Sequence, residues 1–157
     1  MKWLKFSGVG ALALLATTVF AQAPKAADDE AAASLSGKYR IVSGEKYGKG
    51  DSGDELKQSK VTITATEFVT TDKADKRIYV ATYTLDTSKK PWRIEMESLL
   101  PTVGAKANGL VSMEGDTVKL IYALPGGEMP TEFKTKDKQL MFVLEVDQKP
   151  AENKPRK

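Results

Sequence analysis

The chain has 157 residues, with 24 Lys and Arg against 21 Asp and Glu for a net charge of +3, and it contains neither cysteine nor histidine. The absence of these two residue types excludes disulfides, Cys-His and Ser-His-Asp catalytic sites, and zinc sites with histidine ligands. Charges of both signs are interleaved, as in residues 134–138, so no concentrated basic face for nucleic acid is expected.

The N-terminal segment has the zones of a secretory signal peptide. Lys2 and Lys5 form a basic start, and residues 8–20 are all apolar or small. This stretch matches the length of a signal-peptide core and is too short to span a hydrocarbon layer of about 30 Å as a stable helix. The pattern predicts export to a periplasmic or extracellular compartment, with no stable membrane anchor.

Two candidate cleavage positions have the small residues that a signal peptidase recognises. Cleavage after Ala21 would leave Gln22 as the first residue, whereas cleavage after Ala23 would place Pro24 next to the scissile bond. Proline restricts the backbone on both sides of that bond and suits a peptidase poorly. Residues 1–21 are therefore interpreted as the signal peptide.

The two segments that flank the predicted domain contain few side chains that a hydrophobic core could bury. Residues 22–34 are rich in alanine and contain no aromatic residue, and an isolated helix of this length is marginal in water. Residues 147–157 contain Pro150 and Pro155 and no apolar residue beyond Ala151, so burial cannot offset the entropy of ordering them. The first segment is predicted to be a linker and the second a disordered basic tail.

Residues 35–146 are dominated by an alternation of apolar and polar residues with a period of two, which is typical of half-buried strands. Turn-forming residues such as Gly115 and Asp116 separate the runs. The alternating runs are residues 61–66, 78–85, 92–97, 118–122 and 140–146. About eight strands at such short spacing, without helical crossovers, predict an all-β domain that forms an antiparallel up-and-down barrel or a sandwich.

One helical signal interrupts this pattern near the N-terminal side. In residues 51–60, Ser52 and Glu55 have the spacing of a capping box, so a short helix is expected there. Asp51, Asp54 and Glu55 lack the alternate spacing and the later glutamate of a calcium-binding EF-hand loop. They are interpreted as residues that favour the helix start.

Four groups of residues occur in an order and spacing that is characteristic when they are taken together. They are residues 37–45 (GKYRIVSGE), 85–86 with 90–91, 115–120 (GDTVKL) and 130–133 (PTEF). With them, residues 35–146 resemble an uncharacterised lipocalin-like domain family that is abundant in planctomycete bacteria. The resemblance implies a barrel of the lipocalin kind, and it brings no established activity, ligand or catalytic residue.

The chain departs from the pattern of that family at three positions. Tyr39 stands where tryptophan is usual, and Val111 stands where a tyrosine is expected. Met129 replaces an arginine before Pro130. Any role of that arginine is therefore not transferred to this chain.

No group of residues predicts catalysis. Glu95 and Glu97 resemble the paired carboxylates of a glycosidase, but their alternation with Ile94 and Met96 places them on the solvated face of one strand. Carboxylates on a solvated face are poor general acids. The chain is therefore expected to be non-catalytic and to need no metal or cofactor.

The inward faces of the predicted strands carry several aromatic residues. Inward side chains of an eight-stranded barrel either fill it or line a cavity for one small ligand. The residues expected to line such a cavity are Tyr79, Tyr83, Ile94, Leu120, Tyr122 and Phe142. Their tyrosine hydroxyls would favour a small amphipathic molecule over a charged one. The alternative is that the inward aromatic residues, including Trp92, pack as a solid core.

Two functions from different classes remain open from the sequence. In the first, the barrel carries a small apolar or amphipathic molecule outside the cytoplasm. In the second, the barrel is solid and serves as a structural or interaction module for another extracytoplasmic protein of unknown identity. Cavity volume separates them, because ligand pockets typically enclose about 300–1,000 Å³ and packed interiors contain only voids near the size of water.

Overall fold

The computed structural model describes residues 23–51 and 53–147 of the chain. The predicted signal peptide, and the predicted tail beyond Asp147, lie outside the described residues. The helices are α1 (Ala23–Leu35) and α2 (Asp54–Gln58). The strands are β1 (Gly37–Lys46), β2 (Lys49–Asp51), β3 (Lys60–Ile63), β4 (Glu67–Thr71), β5 (Arg77–Asp86), β6 (Trp92–Leu100), β7 (Lys106–Glu114), β8 (Thr117–Ala123) and β9 (Gln139–Val146).

The strands form one antiparallel sheet that closes into a barrel. Consecutive strands from β3 to β9 pair as neighbours, and β1 pairs with both β3 and β9. The predicted antiparallel barrel is confirmed: eight strands close it, and the short strand β2 pairs with the end of β1. A register shift between Ile41 and Ser43 marks a bulge, which lets β1 bend while both of its edges are paired.

The predicted inward faces form the core of the barrel. In β6, Ile94 and Met96 are buried, whereas Arg93, Glu95 and Glu97 are exposed. Other strands contribute inward residues in the same way, among them Tyr39, Val61, Phe68, Tyr83, Val111, Leu120 and Leu144. Because the chain has no cysteine, burial of this apolar surface, at roughly 25 cal/mol per Å², is the main stabilising contribution.

The alanine-rich segment that was predicted to be a linker is helical from Ala23 to Leu35 and contacts β5. Ala31, Ala32 and Leu35 are buried, at a spacing that puts them on one face of α1. The difference has a physical reason. Alanine is a weak hydrophobic signal in a sequence, but its small side chain lets a helix lie close to the barrel, and that packing supplies the stability that an isolated helix lacks.

Two sets of hydrogen bonds hold α1 on one end of the barrel, which we call the α1 end. The buried Tyr39 hydroxyl in β1 donates to the Leu35 carbonyl at 2.8 Å. The amide and hydroxyl of Thr87, between β5 and β6, donate to the Asp28 carboxylate at 2.9 and 2.6 Å. The N-terminal helix therefore closes this end of the barrel.

Helix α2 lies at the opposite end of the barrel, the α2 end, where it contacts β1. The prediction of a helix over residues 51–60 opened by Ser52 and Glu55 is wrong in its bounds. Asp51 belongs to β2, and Gly53 takes the N-cap position, so the helix has only five residues. Asp51, the first residue of the segment, pairs with β1 as part of β2 and therefore does not join the helix. Among the described residues, neither helix is long and apolar enough to cross a membrane.

The long connection between β8 and β9 is tied to the β1–β2 hairpin at the α2 end. The Glu45 carboxylate accepts hydrogen bonds from the amide and hydroxyl of Thr135 at 2.7 and 2.5 Å. The Thr135 hydroxyl accepts a further bond from the Gly48 amide at 2.8 Å. The bonds from Thr135 are the main cause of a lowered Glu45 pKa. This connection is therefore held in place by a hydrogen-bonded carboxylate.

Candidate ligand-binding cavity

A cavity of about 230 Å³ lies inside the barrel toward the α2 end. The lining residues are Ile41, Leu56, Ser59, Val61, Phe68, Thr70, Ile78, Tyr79, Met96, Leu120, Tyr122, Phe142 and Leu144. The volume is below the usual range of about 300–1,000 Å³ for ligand pockets, but an apolar cavity of about 150 Å³ is enough to bind benzene. The interior is therefore not solid, and it has room for a molecule larger than benzene.

The structure brings four of the six predicted lining residues together at this cavity. They are Tyr79, Leu120, Tyr122 and Phe142. Tyr83 and Ile94 lie on the same inward faces but nearer the α1 end, where they are buried in the packed core. The alternation of apolar and polar residues predicts which side chains face the interior, but it does not predict how far along the barrel each of them lies. Tyr79 and Tyr83 are four residues apart, which separates them by roughly 13 Å along β5.

The cavity also has residues that the sequence analysis did not single out. Ile41, Met96 and Leu144 face inward by the same alternation, so counting residues along each strand would have found them. Leu56 belongs to α2, and Ser59 follows that helix. No strand periodicity includes these two residues, because their place in the wall results from α2 folding over the end of the barrel.

The hydroxyls of the inward tyrosines at the α1 end form hydrogen bonds with other groups of the protein. The Tyr39 and Tyr83 hydroxyls donate to backbone carbonyls at 2.8 and 2.7 Å. The Tyr83 and Phe68 rings also pack in a T-shaped arrangement, with ring centroids 4.9 Å apart. Burial is the main cause of the raised pKa of both phenols and brings that of Tyr83 to about 12. This end of the interior is therefore closely packed, and its tyrosine hydroxyls have hydrogen-bond partners.

The inward tyrosines at the α2 end differ in this respect. Tyr122 is only 8% exposed, yet neither its hydroxyl nor that of Tyr79 forms a hydrogen bond with any described residue. In the described part of the chain, no fully enclosed side-chain oxygen lacks a partner, so both hydroxyl oxygens are accessible to a water-sized molecule, and both residues line the cavity. Burial raises the pKa of both phenols, and Tyr79 adds to the rise at Tyr122. Both remain protonated donors at neutral pH.

Gly109 in β7 permits the close strand pairing that places Tyr122 at the cavity. The two residues are paired across β7 and β8. A Cβ atom at position 109 would lie 2.8 Å from the Tyr122 Cβ and still closer to the carbonyl oxygen of Ile121. A backbone carbonyl in a sheet has little freedom to move aside. Only glycine therefore fits here without a shift of the neighbouring strand.

Among the described residues, no charged side chain lines the cavity. Its polar groups are the hydroxyls of Ser59, Thr70, Tyr79 and Tyr122. Burying a charged group without a counter-ion costs far more free energy than burying a neutral group that is hydrogen-bonded. The wall therefore suits a neutral molecule that has one polar atom able to accept a hydrogen bond.

No group of three or more acidic side chains that could hold a metal ion occurs in the ranges that the structure describes. Comparison of the chain with protein-family models, with curated proteins and with solved structures found no match. The chemistry of the cavity is therefore the basis for assigning a function.

Proposed function

We propose that this protein is an exported, non-catalytic binding protein that holds one small, neutral, amphipathic molecule in its barrel. The observation that carries the proposal is the Tyr122 hydroxyl, an accessible oxygen on a side chain that lines a cavity of about 230 Å³ and is otherwise largely buried, with no partner among the described residues. A polar group in a largely apolar interior pairs either with water or with a polar atom of a bound molecule. Such a hydroxyl therefore marks the place where an acceptor atom of a ligand would bind.

The positions of the hydroxyls favour one orientation of the ligand. Tyr79 and Tyr122 lie near the α2 ends of β5 and β8, whereas Phe68, Met96 and Leu144 form an apolar wall deeper in the barrel. An acceptor such as a ketone, ester or alcohol oxygen would bind at the two tyrosines. The apolar part of the molecule would then extend toward the α1 end.

Export rests on the signal-peptide pattern of residues 1–21. Cleavage after Ala21 would also leave the whole of α1, which closes the barrel, in the mature chain. When the full chain is expressed in a bacterial host, N-terminal sequencing of the exported protein is expected to begin at Gln22. A cytoplasmic product that still begins at Met1 would contradict export.

Ligand binding is tested by NMR titration of the isotopically labelled mature protein with three molecules of similar size. Methyl hexyl ketone has an acceptor atom, nonane has none, and octanoate carries a charge. The ketone is expected to bind saturably and to shift amide signals of the cavity residues. Octanoate is expected to bind at least about tenfold more weakly, because the cavity offers no counter-ion.

Two variants show whether the Tyr122 hydroxyl contacts the ligand. Y122F is expected to weaken ketone binding by roughly twofold to tenfold, the value of one hydrogen bond, and to leave nonane binding unchanged. Y83F is the matched control, because its hydroxyl lies outside the cavity and should not affect either molecule. Absence of saturable binding by both molecules, or shifts confined to the outer surface, would favour the interaction-module alternative.

A further inference from the structure

Exposed apolar side chains are concentrated at the α2 end of the barrel. Among the described residues, seven large apolar side chains are exposed, and six of them lie in connections or strand ends at this end. The six are Tyr47, Ile78, Leu99, Leu100, Val103 and Met129. The seventh, Met113, is 36% exposed near the α1 end. Single exposed apolar residues are ordinary on a protein surface, whereas their concentration at one end makes that end the candidate interaction site.

The connection between β6 and β7 presents the most exposed of these side chains. Val103 is 78% exposed within this connection. The Gly104 amide donates to the Ser98 carbonyl at 2.7 Å, and the Ser98 amide donates to the Ala105 carbonyl at 2.8 Å. Residues 98–105 carry no charge. The connection therefore has a hydrogen-bonded backbone that displays apolar side chains to solvent.

Basic side chains flank this apolar group in the chain. Lys73, Lys76 and Arg77 precede Ile78, and Lys106 follows the β6–β7 connection. All four are exposed, and none forms an ion pair with a described residue. The two acidic side chains of the turn before Ile78 are already engaged, one in an ion pair and one by backbone amides. Lys106 lies opposite the exposed Glu97 in the β6–β7 pairing, so Lys73, Lys76 and Arg77 are the unpaired cations that accompany the exposed apolar residues.

We propose that the apolar rim, defined as Ile78, Leu99, Leu100 and Val103, docks the barrel reversibly on a bilayer surface that carries anionic headgroups. Such a surface offers acyl chains to the apolar residues and phosphates to the flanking cations, and each interaction strengthens the other. Ile78 belongs to the rim and also lines the cavity, so docking would bring this wall of the cavity to the bilayer. The inference goes beyond ligand binding and does not require a bound molecule.

The rim is tested by co-sedimentation of the mature protein with vesicles of phosphatidylcholine, with and without added phosphatidylglycerol. V103D is expected to lower binding to the anionic vesicles by about tenfold or more, because one buried valine side chain contributes at least that much. M113D places the same substitution at the α1 end and is expected to leave vesicle binding unchanged.

A second pair of variants tests the cations. K76E/R77E is expected to lower binding to the anionic vesicles by more than about tenfold, with little effect on neutral vesicles. K89E/K90E reverses two exposed lysines in the connection between β5 and β6 at the α1 end, and it should bind like the wild type. Together, the two pairs separate a docking surface from a general effect of charge or polarity.

The possible results lead to distinct conclusions. Binding that requires the anionic lipid and is lost only in V103D and in K76E/R77E supports docking. Absence of vesicle binding, or equal losses from variants at both ends, overturns it. Dimerisation without vesicles that V103D abolishes would assign the rim to a second copy of the chain and also overturns it. Ketone titration of V103D keeps the two proposals separate, because Val103 does not line the cavity.

Discussion

Tyrosine hydroxyls inside the barrel are held in two different ways, and stability measurements distinguish them. Y83F removes the donor to the Thr64 carbonyl and is expected to lower the free energy of unfolding by about 0.5–1.5 kcal/mol. Y122F removes a hydroxyl that has no partner among the described residues, so the change should stay within about 0.5 kcal/mol. Chemical denaturation measures both. Equal losses would contradict an unpartnered Tyr122 hydroxyl.

A second prediction at the residue scale concerns the close approach of β7 and β8. G109A would press a Cβ atom against the Ile121 carbonyl and the Tyr122 side chain, and overpacking of this kind costs about 1–3 kcal/mol of unfolding free energy. G50A is the matched control, because a Cβ atom there would meet no atom within 4 Å. It should be neutral or slightly stabilising, by up to about 1 kcal/mol. Denaturation curves that rank the two variants equally would refute the close contact at Gly109.

At the scale of elements, α1 is a structural part of the barrel. Leu35 has no exposed surface, so L35A is expected to lower the free energy of unfolding by about 2–5 kcal/mol. L99A makes the same substitution at a side chain that is 39% exposed, and it should cost no more than about 0.5 kcal/mol. Thermal or chemical unfolding provides the comparison. Nearly equal, small losses from both substitutions would contradict packing of α1 against the barrel.

At the scale of the whole molecule, the tyrosine-rich interior predicts a loss of stability in alkaline solution. Burial raises the pKa of Tyr39, Tyr79 and Tyr122, and it raises that of Tyr83 to about 12. In the unfolded chain these phenols ionise at about pH 10. Because the folded-state pKa values are raised, the stabilisation is fully present below about pH 10 and is lost as the pH rises through the folded values.

Denaturant titrations over a range of pH check this expectation. The contribution of these tyrosines to the free energy of unfolding should be constant between about pH 6 and pH 9 and should fall above about pH 10. A free energy of unfolding that stays level well above pH 10 would contradict burial of the four phenols. Y122F should weaken the alkaline loss, because it removes one of the ionising groups without removing a protein hydrogen bond.

The fold class was accessible from the sequence because period-two alternation is a local property. The pattern in residues 92–97 predicts which side chains face inward even when the partner strands are unknown. The burial pattern along β6 agrees with that prediction. Barrel closure depends on long-range pairing, since residues 39–46 of β1 must meet residues 140–146 of β9. Local patterns favoured a barrel or a sandwich and did not specify that pairing.

The sequence by itself determined the faces of the main strands and hence the aromatic character of the interior. Only the tertiary structure decided how far along the barrel each inward residue lies. This position separates Tyr79 and Tyr122, which line the cavity, from Tyr83, which lies in the packed core. It also decided the role of α1, because alanines become a core surface only when a barrel end is present to receive them. The physical reason is that alternation is set by each residue's own backbone, whereas cavities and docking surfaces arise where distant segments meet.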